Sequence, residues 1–405
     1  MLERTNVIIQ APVFSASGYG SHSRDLVMGL FNSGKYNISI IPVGWGASSQ
    51  IRMKKDLDDA LIFMCNNRVG EGAPFVWIQV GIPSEFRKVS HINIGITAGS
   101  EGEPYPANWA AQCNQMTAII VPSSFVRDRM VSCGVRVPIH VIPEGVDTTV
   151  FNNNPEITPT IVTEELDNLP TSFNFLVTGQ WLGGAVGEDR KNIPLSALAV
   201  IDSLLDEREV GVIVKTHILN NSSPDRYSTI ERLNDLLGER SRGRVHLIHG
   251  TLTESELVSV YKHKNTKALL SLTHGEGFGR HLTEAAACDL PILVTGWGGQ
   301  MDFIRPEFTT VLEYGISQVP PSATVPETLT PNQNWASPDF DKVKNKIRRC
   351  YESYSIAKTR AEEYGRVIRS EWSLDKTDKF FVEIVDHTVN DQNITGAKLS
   401  GQIII

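Results

Sequence analysis

Thr273-His274-Gly275-Glu276-Gly277-Phe278-Gly279-Arg280-His281-Leu282-Thr283-Glu284-Ala285-Ala286-Ala287-Cys288 follows the apolar run Ala268-Leu269-Leu270-Ser271-Leu272. The run reads as a buried strand and Leu282 to Cys288 as a helix, which puts the glycines in a strand-to-helix turn. Gly275, Gly277 and Gly279 let the backbone approach a ligand closely. The helix that follows offers unpaired N–H groups and the positive end of its dipole, a combination that favours phosphate. Glu276 lies before the helix and Glu284 in its second turn, so both carboxylates can face a ligand held over the helix start. One is placed for sugar hydroxyls and the other for a ribose.

A Gly-x-Gly-x-Gly alone also makes plain structural turns; the paired glutamates separate this stretch from those. Glu276-Gly277-Phe278-Gly279, then Glu284-Ala285, Pro291-Ile292 and Gly298-Gly299, resemble the signature of retaining nucleotide-sugar glycosyltransferases of the glycosyltransferase family 4 type. The hallmark of that family is two Glu separated by seven residues, which Glu276 and Glu284 match. The resemblance implies an α/β chain of GT-B architecture, with two Rossmann-like domains facing across a cleft and a C-terminal helix crossing back to the first domain. It also implies a nucleoside-diphosphate sugar as donor and no metal or other cofactor. Glu276 is then catalytic, and Gly277, Phe278, Gly279 and Glu284 bind donor.

The whole chain agrees with that scale. A length of 405 residues exceeds one ordinary core. Hydrophobic residues at 41% and charged ones at 21% exclude a wholly disordered or collagen-like chain. There is no charged-then-apolar leader and no apolar run long enough to span a bilayer, so a cytoplasmic protein is expected. Cys65, Cys113, Cys133, Cys288 and Cys350 are spread without metal spacing and are expected as buried free thiols. The net charge of −8 gives no global basic footprint. A nucleic-acid acceptor would need a local patch, for which Arg52, Lys54, Lys55, Arg68, Arg87 and Lys88 are the available residues.

Towards the N-terminus, Asn6 to Gln10 reads as a strand, Ser15 to Gly20 as a small-residue loop and Ser21 to Phe31 as a helix, the opening of a doubly wound domain. In enzymes of the resembling family this loop touches donor phosphates or acceptor, which makes Gly18 and Gly20 candidates. Ile38 to Val43, Phe75 to Val80 and His91 to Thr97 read as further strands. Asp56, Asp58 and Asp59 read as a solvated helix face rather than a metal site. Glu101 and Glu103 fall beyond the carboxyl end of the His91 to Thr97 strand, where parallel sheets gather ligands. Glu101, Trp109, Val121 to Phe125 and Pro143 to Asp147 are similar in order and spacing to one branch of the same family. Many members place a His where Glu101 stands, so Glu101 is taken as an active-site residue. Phe151 to Pro170 reads as an interdomain linker.

In the second half, Phe173 to Val177 reads as a strand and Pro194 to Leu205 as a helix preceded by Arg190-Lys191-Asn192. Two cations at a helix start oppose its dipole, and a bound diphosphate would reverse that. The resemblance assigns Arg190 and Lys191 to the leaving diphosphate. Lys215, at the end of the strand Gly211 to Val214, is a further donor candidate. Val245 to Gly250 reads as a strand followed by a helix from Leu252, and the resemblance places the base near His249, Gly250 and Leu252. Pro291 to Gly299 reads as the last strand with its turn, and residues 339–369 as helical.

The expected division is residues 1–165 as an acceptor-side domain, 166–372 as the nucleotide-sugar domain, 373–390 as the returning helix and 391–405 as a tail. The acceptor class stays open among glycan, protein, lipid-linked sugar, metabolite and modified DNA base. Rival readings on the same fold are a sugar-nucleotide 2-epimerase and a non-catalytic sugar-nucleotide-binding subunit.

Overall fold

The computed structural model describes residues 4–46, 48–51, 53–70, 72–183, 185–219 and 221–390; Arg52 and the tail 391–405 lie outside them. Two six-stranded parallel sheets carry the chain. The first is built from β1 (Thr5–Ala11), β2 (Tyr36–Pro42), β3 (Phe75–Val80), β4 (Ile92–Ile96), β5 (Ala118–Val121) and β6 (Ile139–Val141), in the order β2-β1-β3-β4-β5-β6. Its helices are α1 (Gly18–Ser33), α2 (Lys55–Asn66), α3 (Ala107–Cys113) and α4 (Ser124–Ser132). Strands such as Val76 to Val80 are buried throughout, as expected for a parallel sheet covered on both faces.

After α5 (Ile161–Asp167), the second sheet contains β7 (Phe173–Thr178), β8 (Val210–Thr216), β9 (Val245–His249), β10 (Thr266–Ser271), β11 (Ile292–Thr295) and β12 (Thr310–Leu312), in the order β12-β11-β10-β7-β8-β9. Helices α6 (Ile193–Ser203), α7 (Ser223–Leu237), α8 (Glu254–Lys262) and α9 (Arg280–Ala287) connect its strands. An antiparallel hairpin, β13 (Tyr314–Gln318) and β14 (Asn334–Pro338), follows, and α10 (Phe340–Glu352), α11 (Tyr354–Glu371) and α12 (Leu374–Asn390) close the chain.

Three sequence expectations change. Pro291 to Gly299 is not the last strand, because β12 pairs beyond β11 and the hairpin comes later still. The stretch expected to be a linker contains α5, started by a Thr160–Thr163 capping box. Val162 and Leu166 of α5 join Phe151 in the core under β10, so a division between residues 165 and 166 would cut a helix that belongs to the second unit. The basic residues do not form one patch either. Lys54 and Lys55 lie at the start of α2, in the connection that follows the carboxyl end of β2, whereas Arg68 leads into the amino end of β3 and Arg87 and Lys88 into the amino end of β4. Cys113, Cys288 and Cys350 are buried free thiols as expected, while Cys65 and Cys133 are half-buried.

The chain returns to the first unit at Trp372. Val146 donates its N–H to Trp372 O at 2.9 Å and accepts from Leu374 N at 2.8 Å. A Cβ on Gly145 would meet the Leu374 Cα at 2.5 Å, so only glycine lets the two segments lie this close. From there α12 packs along α1, and Phe381 and Val385 enter the core formed by β1 to β4. Among the described residues no helix is long and apolar enough to cross a membrane.

Phe381 is 1% exposed. Phe381→Ala should therefore lower folding stability by about 3–5 kcal/mol, read as a lower denaturation midpoint of the first unit; an unchanged midpoint would mean that α12 does not complete that core.

Candidate active site

Read from its edge, β9-β8-β7-β10-β11-β12, the second sheet reverses direction between β7 and β10. A crevice opens beyond the carboxyl ends of strands at such a reversal, and ligands bind there. The loop after β7 delivers Arg190 and Lys191, and the loop after β10 delivers Glu276. Asp189 holds the first loop by accepting from Leu182 N at 3.2 Å and Ile193 N at 3.0 Å, the latter at the start of α6. Asn192, in the left-handed region at φ 53°, donates from Nδ2 to Leu272 O at 2.7 Å and ties this loop to the end of β10.

Four charges meet there. Lys191 Nζ lies 2.5 Å from Glu276 Oε2 and 3.7 Å from Glu101 Oε1, and Arg190 pairs with Glu101. Glu101 comes from the loop after β4, across the cleft. Burial alone would raise the Glu276 carboxyl, but Lys191, His281 and Arg190 outweigh it and hold it below the usual carboxylate range. Burial works against a charged Arg190, and Glu101 and Glu276 more than restore it. Glu276 Oε1 is buried without a hydrogen-bond partner among the described residues.

Backbone completes the closure. A Cβ on Gly277 would sit 2.0 Å from Ala98 O, and one on Gly299 would sit 1.9 Å from Gly277 O. Ser123 Oγ donates to Gly277 O at 2.6 Å, and Ser124 N to Asp302 Oδ2 at 2.7 Å, so the start of α4 grips both loops of the second unit. Gly279, at φ 100°, precedes α9 with no side-chain cap; Leu282 N donates to Gly279 O at 2.9 Å, and the amides of Arg280 and His281 before it have no capping side chain.

A second buried charge group lies one helical turn along. Arg280 spans the units: its NH1 is 2.5 Å from Asp25 Oδ2 on α1, and its Nε is 3.0 Å from Glu284 Oε1. Tyr261 OH reaches the other Glu284 oxygen at 3.4 Å. Burial raises the Glu284 and Asp25 carboxyls, and Arg280 opposes it in both. Glu144 is pushed up to about 7, first by burial, against Arg280 and with help from Asp25, Glu284 and Glu276. Three acids therefore share one guanidinium.

The other predicted donor residues divide. Lys215 sits half-buried at the end of β8, its Nζ with no hydrogen bond or ion pair among the described residues; burial lowers its pKa and Glu284 is the charge that opposes this. Gly18 is exposed with open space around it, whereas a Cβ on Gly20 would strike Ser15 O at 2.1 Å, so Gly20 is required for the turn itself. The Phe278 side chain is withdrawn from the surface. It is 2% exposed in the core, with its ring 5.0 Å from Phe303, which leaves only its backbone for binding. His249 is committed to Asp225, with Nε2 2.8 Å from Oδ2, and that carboxylate also accepts from Ile218 N and Leu219 N. Gly250, at φ 95°, lies against Asn221, and Leu252 packs on the second core. Trp109 is fully buried, and its indole N–H donates to Glu327 O at 3.0 Å. Among the described residues no group of three or more His, Cys, Asp or Glu is placed to hold a metal.

Sequence reasoning missed Asp25, Glu144, Tyr261 and the side chains of Arg280 and His281. The last two stand in the decisive stretch itself, directly after the glycine turn. A cation in the first turn opposes the helix dipole, and that was the available signal that acids must surround Arg280. Nothing in the local sequence marks Asp25.

Two parallel-sheet units facing each other across one charged cleft, with the last helix returning to the first, define a GT-B fold. Residues 230–315, which span both Glu276 and Glu284, match the family described as glycosyl transferases group 1. Among solved structures, a glycosyltransferase from Rickettsia africae ESF-5 superposes with a TM-score of 0.66 at 15% identity, covering 96% of this chain and 100% of that one. Sucrose-phosphate synthase from Thermosynechococcus elongatus gives 0.65 at 14% identity, covering 95% and 99%. Anabaena HepE, solved in complex with UDP-glucose, gives 0.61 at 12% identity, covering 95% and 100%. No curated protein matches significantly.

The Glu144 carboxyl binds its proton more tightly folded than unfolded, so the stability it contributes is present below about pH 4.5 and lost as the pH rises through about 7. Glu144→Gln removes that loss. The variant should be more stable than the parent at pH 8, by on the order of 3 kcal/mol, and no more stable at pH 4.5, when thermal unfolding is followed at both; an equal effect at both would place Glu144 in water.

Proposed function

We propose that this protein is a retaining glycosyltransferase that moves a sugar from a nucleoside-diphosphate sugar to an acceptor, with the donor held mostly by the second unit and the acceptor by the first. The observation that carries the reading is the meeting of Arg190, Lys191 and Glu276 at the reversal of the second sheet, beside the uncapped start of α9. The family matched by residues 230–315 supports the reaction class. The UDP-glucose complex of HepE, a protein of the same fold, supports the class of donor.

In this reading the bond between the anomeric carbon and the diphosphate oxygen breaks, and negative charge grows on the leaving oxygen. The open amides of α9, with Arg190, Lys191 and the unpaired Lys215, stabilise it. A new bond forms between the anomeric carbon and an acceptor oxygen on the same face, and the acceptor's proton passes to a phosphate oxygen. No side-chain base is then needed, and the three cations take the charge that a metal would otherwise carry. Incoming phosphates must displace Glu101 and Glu276 from Arg190 and Lys191, which frees Glu276 for the sugar. Glu284 holds the ribose hydroxyls, exchanging its contact with Tyr261 for them.

Charge-assisted bonds from Glu284 to a ribose make Glu284→Ala cost about 1.5–3 kcal/mol in nucleoside-diphosphate affinity, measured by calorimetry with UDP, GDP and ADP. Unchanged affinity for every nucleotide refutes the assignment. Glu276→Ala should instead lower turnover more than nucleotide affinity, and a loss confined to affinity would exchange the two roles.

A further inference from the structure

His281 is the second residue of α9, half-buried, with its Nε2 enclosed and without a partner among the described residues. Its enclosed position pulls the imidazole down to about 4, so it is neutral near pH 7. Glu276 stands five residues earlier, at the start of the same glycine turn. The Glu276 carboxylate strengthens proton binding at His281, and His281 weakens it at Glu276. Lys191 takes Glu276 Oε2 at 2.5 Å, while Oε1 is enclosed and unpaired. A buried polar atom without a partner is costly, so two of them in one turn persist where a ligand supplies what they lack.

The chemistry of the two atoms selects the ligand group. An ionised carboxylate oxygen only accepts, so Glu276 Oε1 needs a donor, which a fully ionised phosphate does not have. The imidazole nitrogen donates in one tautomer and accepts in the other. A hydroxyl serves both, because it donates through its hydrogen and accepts through its oxygen.

We propose that His281 is a sugar-recognition residue which, together with Glu276 Oε1, brackets one hydroxyl of the transferred sugar and so distinguishes a nucleotide sugar from the nucleotide alone. The inference rests on the reading of this cleft as the donor site and adds a residue to it. Arg280, the neighbour of His281, is spent on Asp25 and Glu284, and this places the two side chains in different tasks: Arg280 joins the units and His281 reads the ligand.

The test compares full-length wild type, His281→Ala and His281→Asn by calorimetric titration. The probes are UDP, GDP and ADP, each set against its hexose conjugates (UDP-glucose, UDP-N-acetylglucosamine, GDP-mannose, ADP-glucose). For the pair that wild type binds most tightly, His281→Ala should shift the ratio of sugar-nucleotide to nucleotide affinity by about tenfold, the equivalent of one hydrogen bond. Affinity for the nucleotide alone should stay within about twofold, and His281→Asn, which keeps a hydrogen-bonding group, should recover part of the loss. Equal loss for both ligands, or none for either, overturns the proposal. If the alanine variant fails to fold, His281→Asn and His281→Gln decide it, since an unchanged ratio in both also overturns it. Lys191→Ala serves as the control on the donor site: wild-type nucleotide affinity there sinks the underlying reading, whereas a weakened Lys191→Ala with an unmoved His281 ratio sinks only this inference.

Discussion

A charge taken out of water must find an opposite charge nearby, and in this protein the partner often stands on the other half of the molecule. Glu101 of the first unit neutralises Arg190 and Lys191 of the second, and Asp25 of α1 neutralises Arg280 of α9. Leaving one member of a buried pair without its partner costs several kcal/mol. Each half of the cleft is therefore stable either facing water or facing the other half, and the arrangement with the cleft shut needs its carboxylates. Counting only Arg190, Lys191, Glu101 and Glu276, the shut site is neutral. In the proposed function, a nucleoside diphosphate would enter that neutral site by taking over the work of the two acids. The same ion pairs that hold the two units together thus occupy the groups that the proposed donor would need.

Topology explains why the charges converge. Both sheets wind their connections to opposite faces and so open a crevice at a strand-order reversal. In the second sheet the loops after β7 and β10 border it, and these carry Arg190, Lys191 and Glu276. The first sheet contributes the loops after β1 and β4. Tyr19, beyond β1, accepts a hydrogen bond at its hydroxyl from Ala98 N at 2.9 Å and stacks on Trp45, fixing the loop that presents Glu101. The glycines then set the spacing. Gly277 has no space for a side chain against Ala98 O, so the two units approach to backbone contact next to Glu276, and Gly299 packs as tightly on Gly277 O behind it.

The sequence made legible what depends on local pattern: the strand, glycine turn and helix around Glu276, the paired acids, the cations before α6 and the return of α12. Interactions that pair residues far apart in the chain were not legible. Phe278 stands in the glycine turn and reads as a ligand contact, yet its ring goes to the aromatic cluster with Phe303 and Trp372. His249 ends a strand where a base would be expected, but Asp225 on α7 claims it. Residues 151–170 look polar enough for a linker, because α5 buries only Val162, Thr163 and Leu166 of a short, acidic helix. These cases share one physical form: the polar or aromatic character was visible, and the side chain's distant partner was not.

The hairpin β13–β14 shows how much such a partner can decide. It belongs to the second unit by sequence, yet Asn334 exchanges both backbone hydrogen bonds with Glu103, at 2.9 and 2.7 Å, and Gln333 Nε2 donates to Pro104 O at 2.9 Å. Trp109, on α3 of the first unit, donates to Glu327 in the hairpin loop, so the grip is on two sides. At the other end Trp335 stacks flat on His274, with ring centroids 3.8 Å apart, and Ala336 accepts from the same imidazole. His274 lies two residues before Glu276, and Glu103 two residues after Glu101. The hairpin therefore binds, through Trp335 and Asn334, the two short segments whose carboxylates meet Lys191. A backbone shift that draws the Glu101 segment away from Lys191 breaks the Glu103–Asn334 pair or carries the hairpin off His274. The register in which the two acids come together is set from outside the cleft, by an element that contributes no charge to it.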